Sequence, residues 1–133
     1  MSRLEARIVS QRIEVPADVV YEFARQEKHL PHWASGLAAG LTQRDGHWFG
    51  QSPMGEVKIE MAPLNKFGVL DHDVTLPNGV VVHNAFRVTP VGDASLAAFV
   101  VLRFPDTTAI AFEKDVDHVA KDLMALKELL ESS

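Results

Sequence analysis

The sequence predicts an α+β fold: a curved antiparallel sheet of six to seven strands wrapped around one long C-terminal helix, with two short helices after the first strand. Three observations carry this. Phe67 to Phe86 (FGVLDHDVTLPNGVVVHNAF) holds two runs rich in β-branched and aromatic residues around Pro77-Asn78-Gly79. There proline pre-sets φ and glycine supplies the positive φ that a hairpin loop needs. Asp45-Gly46, between Leu37 and Gln51, is a second hairpin turn of two residues. Finally, Phe112, Val116, Val119, Leu123, Leu126 and Leu130 recur at alternating helical spacings and form one apolar stripe.

The elements follow in order. Residues 4–15 (LEARIVSQRIEV) read as the first strand. Pro16 stands where a helical first turn tolerates proline, Asp18 suits the helix dipole, and Val19, Val20, Phe23 and Ala24 make a short amphipathic helix ending near Arg25. His29 to Trp33 (HLPHW) reads as a helical turn. The Asp45-Gly46 turn pairs Gln43 with Trp48 and Leu41 with Gly50. Val57, Ile59 and Met61 then alternate with Lys58 and Glu60 as a further strand. In the central hairpin, pairing Leu76 with Val80 sets Val74 against Val82, His72 against Asn84 and Leu70 against Phe86. Gly92-Asp93 turns the chain into the apolar run Leu96–Phe104. Thr108 is the expected N-cap of a helix reaching Glu131, whose stripe buries naturally on the concave face of the sheet.

Composition narrows the chemistry. The chain of 133 residues is of one-domain size, so residues 1–133 read as a single domain. A formal net charge of −5 argues against nucleic-acid binding, which needs a basic footprint. With no cysteine there is no disulfide, zinc–thiolate site, iron–sulfur cluster or cysteine nucleophile. The charged start MSRLEARIVSQ lacks a signal-peptide core, and no apolar run approaches a membrane span. A cytoplasmic, soluble protein is the expectation. No G-x-S-x-G, H-E-x-x-H, P-loop or G-x-G-x-x-G pattern occurs.

The order of elements resembles the helix-grip fold of the START/Bet v 1-like (SRPBCC) superfamily. RIEVPADVVYEF…HLPHWASG is similar to its first strand, short helices and following tryptophan, and FGVLDHDVTLPNGVVVHNAFRVTP with the C-terminal LMALKELLE resembles bacterial proteins of the polyketide cyclase/dehydrase-like subgroup. The resemblance spans essentially the whole chain. It implies seven antiparallel strands gripping the C-terminal helix, with a cavity between helix and sheet; the expected function uses no metal or other cofactor. It implies no single activity, since members include lipid and sterol carriers, hormone-binding proteins, aromatic cyclases and chaperone activators.

The candidate site residues come from the register. His72 and Asn84 share the concave face, where a buried polar group costs about 1–3 kcal/mol unless it finds a partner. They orient a ligand or satisfy each other as a structural pair. Phe86 shares their face, and Trp33 and Trp48 are candidates for the cavity mouth or for plain packing. Arg103 falls on the face of Phe99 and Val101 if Val91 pairs with Ala94, and could then receive a carboxylate or phenolate oxygen. Asp73 and His83 pair on the outer face, while Asp71, Arg87 and His118 read as solvated surface. His29 and His32 have helical i, i+3 spacing but enclose Pro31, which argues against a metal site there. The expected function is binding of a small hydrophobic molecule, aromatic, lipid or polyketide-like, by a monomer or homodimer. Two alternatives stand beside it: a cofactor-independent cyclase or dehydratase with His72 as its catalytic proton shuttle, and a protein-interaction module with a filled interior.

Overall fold

In the computed structural model, which describes residues 5–132, the chain runs β1 (Glu5–Ile13), α1 (Ala17–Ala24), α2 (Leu30–Trp33), β2 (Leu41–Arg44), β3 (His47–Ser52), β4 (Gly55–Met61), β5 (His72–Thr75), β6 (Val81–Asn84), β7 (Phe86–Val91), β8 (Ala94–Arg103) and α3 (Ala109–Glu131). Leu4, expected to open the first strand, lies outside the described residues. Two antiparallel sheets form, one in the order β1-β8-β7 and one in the order β2-β3-β4-β5-β6.

Turn chemistry sets the register. Asp45 (φ 53°) and Gly46 (φ 80°) both take the left-handed conformation that a two-residue hairpin with matching twist requires. Gln43 accordingly faces Trp48, and Leu41 faces Gly50. In the central hairpin the Leu76 N–H donates to Val80 O (2.8 Å) and the Gly79 N–H to Leu76 O (2.9 Å). His72 pairs with Asn84 and Val74 with Val82. The Leu70 N–H reaches Phe86 O (2.8 Å) and the Val88 N–H reaches Gly68 O (3.0 Å), so the expected register holds along the whole hairpin.

From sequence, the segment that forms β6 and β7 reads as one continuous strand. The structure breaks it at Ala85, which makes eight strands rather than six or seven. The reason is a change of partner: β6 pairs with β5 in the larger sheet, whereas β7 pairs with β8 in the smaller one. Asp71 stabilises the break. Its carboxylate accepts the Phe86 N–H (2.9 Å) and the Arg87 guanidinium (3.1 and 3.3 Å). Expected as solvated surface, the Asp71 side chain is instead only 14% exposed. Burial raises its pKa, but the bonds from Arg87, the Phe86 amide and His83 outweigh burial and hold the carboxyl below its ordinary value.

The helices close the interior. α3 spans 23 residues, about 35 Å at 1.5 Å per residue, and packs on β1 and β8. Thr108 caps it: its hydroxyl oxygen accepts the Ala111 N–H at 3.1 Å, a bond worth about 1 kcal/mol at such positions. Phe112, Leu123 and Leu126 of the stripe are buried, and Val119 and Leu130 pack half-buried against the core or beside it. The core they join holds Ile13, Val20, Leu30, Trp33, Val57, Ile59, Leu70, Phe86 and Val88. Arg7 bridges β1 to Glu113 of α3, and the Glu131 carboxylate accepts the Glu14 N–H (2.8 Å). The exposed Arg7–Glu113 pair contributes no more than about 1 kcal/mol. No helix of the described residues is long and apolar enough to cross a membrane.

Candidate functional site

Because β4, β5 and β6 present an apolar face and α3 lies against β1 and β8, space remains between them. A cavity of about 390 Å³ opens there. Val57 and Ile59 of β4, Val74 of β5 and Val82 of β6 form its floor, Phe99 and Val101 of β8 one side, and Leu30, Trp33, Val119 and Leu123 the helical side. The wall is overwhelmingly apolar, with few polar groups converging on it.

The cross-strand pair His72 and Asn84 lies in this wall. His72 Nδ1 is 3.0 Å from Leu70 O, and its Nε2 is 3.3 Å from Asn84 Nδ2. A carbonyl can only accept, so Nδ1 carries the proton and donates; Nε2 of the neutral ring then offers a lone pair, which the Asn84 amide N–H fills. The tautomer and the amide orientation fix each other. The ring keeps some surface on the cavity while protein atoms enclose most of it, and this burial pushes the His72 pKa below the ordinary histidine value. The bond to the Leu70 carbonyl opposes the shift without cancelling it. His72 is therefore neutral at physiological pH. Phe99 packs beside it, with ring centroids 5.9 Å apart.

The remaining expected site residues divide. Trp33 lines the cavity at 6% exposure, and its indole N–H is buried without a hydrogen-bond partner. Phe86 does not reach the wall; at 1% exposure it backs it, with ring centroids 5.8 Å from Trp33 and 5.5 Å from Phe99. Trp48 stands opposite Ile59 in β3, half-buried and outside the cavity wall, so it does not serve as the mouth residue expected. Arg103 also departs from expectation. Val91 does pair with Ala94, which keeps the predicted face, but Arg103 is the last residue of β8. Its guanidinium turns to Glu5 (2.6 Å) and to Thr107 O (3.0 Å), away from the cavity.

One polar cluster was not anticipated. Ser35 opens the short turn after α2, and its N–H (3.1 Å) and Oγ–H (2.8 Å) both donate to Asp122 Oδ1 of α3. His118 Nε2 sits 3.3 Å from Asp122 Oδ2 and 3.4 Å from Ser35 Oγ. His118, read from sequence as solvated surface, thus borders the cavity together with Asp115 and Asp122. The i, i+4 spacing of His118 and Asp122 was visible in the sequence; the Ser35 turn that meets them was not. The cluster is not a nucleophilic triad. Ser35 gives its proton to the aspartate, and the imidazole meets that aspartate through the same nitrogen that faces the hydroxyl. It ties the α2 turn to α3.

On the outer face His83 Nδ1 meets Asp73 Oδ1 at 2.7 Å, the pairing the register predicts. This bond, with help from Asp71, raises the His83 pKa. His29 Nδ1 donates to Phe23 O (2.9 Å) while its ring stacks on Phe23 at 4.1 Å, a packing role. Among the described residues no three potential metal ligands cluster.

No family model and no curated protein matches the sequence. Solved structures do match in three dimensions. The protein XoxI from Bacillus cereus superposes with a TM-score of 0.73 at 13% identity, covering 93% of this chain and 94% of that one. A START superfamily protein from Mycobacterium smegmatis gives 0.64 at 15% identity, over 97% and 99% of the two chains. DynU16, a protein of the dynemicin biosynthetic locus, gives 0.67 at 16% identity, over 98% of this chain and 48% of its own length. Two antiparallel sheets around a long C-terminal helix, and these superpositions, lead to one conclusion: the chain has the helix-grip fold of the START-like proteins.

Proposed function

We propose that the protein binds a small, largely apolar molecule in the cavity between the larger sheet and α3. The observation that carries this reading is the cavity itself: about 390 Å³ with a largely apolar wall that includes the His72–Asn84 pair, within the range of small-molecule sites. Cavities of this size are absent from cores that have packed to completion. For the same reason the interaction-module reading, which expects a filled interior, is the weaker one. The START-like fold supports small-molecule binding as well. Proton-transfer catalysis by His72 is disfavoured by its geometry, because Nδ1 is spent on the Leu70 carbonyl and the Nε2 lone pair on Asn84. A general base must have its lone pair free to meet the substrate proton.

Nile red, an uncharged apolar fluorophore, tests the proposal. Titration is expected to show one saturable site. Val82→Phe, which puts a ring into the cavity from β6, should weaken binding by at least about tenfold, or 1.4 kcal/mol, with the far-ultraviolet circular dichroism unchanged. Absence of saturation, or equal affinity in the filled variant, would place the dye elsewhere and refute the reading.

A further inference from the structure

The hydrogen-bond inventory of the cavity specifies the charge of what it holds. His72 uses both ring nitrogens within the protein, and Asn84 uses one of its two amide N–H groups on His72. The second Asn84 N–H and the Asn84 Oδ1 have no protein partner among the described residues. One donor and one acceptor thus remain side by side on an amide whose orientation the histidine has already fixed. The buried Trp33 N–H adds a donor in the same wall.

No permanently charged cation of the described residues lines the cavity to offset a negative charge there. Among the described residues, no lysine or arginine lines the cavity, and Arg103, expected there, is bound to Glu5. His83 borders the cavity through its strand, but its ring lies on the outer face with Asp73 and Asp71. At the α3 side the bordering groups are Asp115, Asp122 and His118. A carboxylate entering this space would trade its hydration for at most the Asn84 and Trp33 N–H donors, with no lysine or arginine to offset its charge and two aspartates bordering the same space. A carboxamide or hydroxyl would instead donate to Oδ1 and accept from the free N–H.

From this we propose that the cavity selects uncharged ligands whose polar group both donates and accepts a hydrogen bond, with Asn84 as the recognition residue, and rejects carboxylates. This rests on the binding reading above and names its ligand class.

Naphthalene, a naphthamide and the matching naphthoate separate the two claims, because the last two differ only in NH₂ against O⁻. Calorimetric titrations at about pH 8, where carboxylic acids are ionised and an ordinary histidine is neutral, should rank naphthamide tightest. Its affinity should exceed that of naphthoate by at least about tenfold, the effect of one well-made hydrogen bond against an unpaired charge. Asn84→Leu should erase the lead of naphthamide over naphthalene and leave naphthalene itself bound. Asn84→Ala serves the same purpose if the leucine variant does not fold. Naphthoate binding as tightly as naphthamide, or an unchanged ranking in the Asn84 variants, overturns the selectivity while naphthalene binding leaves the cavity reading standing. Failure of all three probes to bind overturns both.

Discussion

Phe86→Ala should lower the free energy of unfolding by about 3–5 kcal/mol, the range for removing a buried phenylalanine ring. Phe86 is 1% exposed and sits between Trp33 and Phe99, so its ring joins α2 to β8 behind the cavity wall. Alanine leaves a void between Trp33 and Phe99, directly behind the cavity wall. The backbone bond from the Phe86 N–H to Asp71 survives the substitution, so the loss reports the ring. Urea denaturation measures it; a loss below about 1 kcal/mol would mean that the ring is not enclosed as described.

Gly68→Ala should cost about 2–4 kcal/mol, combining left-handed backbone strain with a lost strand contact. Gly68 has φ +71°, and a Cβ built there would lie 2.1 Å from the carbonyl oxygen of Val88. The strands must part to admit it, which breaks the bond from the Val88 N–H to Gly68 O and loosens the bridge between Val69 and Arg87. Gly79 is the control. Its φ is +88°, but a Cβ added there would meet no atom within 4 Å, so only the backbone strain of Gly79→Ala remains. That strain should cost about 1–2 kcal/mol. Equal losses at the two positions would show that the close approach at Gly68 does not constrain the hairpin.

What was legible in the sequence was local. Pro77-Asn78-Gly79 and Asp45-Gly46 dictate turn geometry within a few residues, and each turn then fixes a ladder. The facing of His72 and Asn84 follows from the first of them. The stripe from Phe112 to Leu130 and its cap at Thr108 were equally readable, since helical period and capping need no distant partner. The features that escaped depend on contacts between remote segments. No local signal at Ala85 announces that the strand changes partner there, because alanine is neutral to the exchange. The periodicity of β8 put Arg103 on the right face, but periodicity carries no information about where a cavity ends or that Glu5 waits beside it. Ser35 is 87 positions from Asp122, and only the packing of α2 on α3 brings them together.

The pairing of β1 with β8 has a kinetic consequence. Its contacts join Ser95 to Ile13 across 82 positions and Arg103 to Glu5 across 98, whereas every neighbouring pair in the larger sheet is linked by a short connection or hairpin. Contacts so distant along the chain form late, since the loop they close must lose its entropy before they contribute. On a ribosome, β1 therefore emerges long before its partner β8. It waits unpaired while β2 to β6 assemble and completes the smaller sheet only once β8 has been made. Pulse-labelled hydrogen exchange would record this as protection arriving at the Val9 and Gln11 amides after it has reached those of Val57 and Ile59.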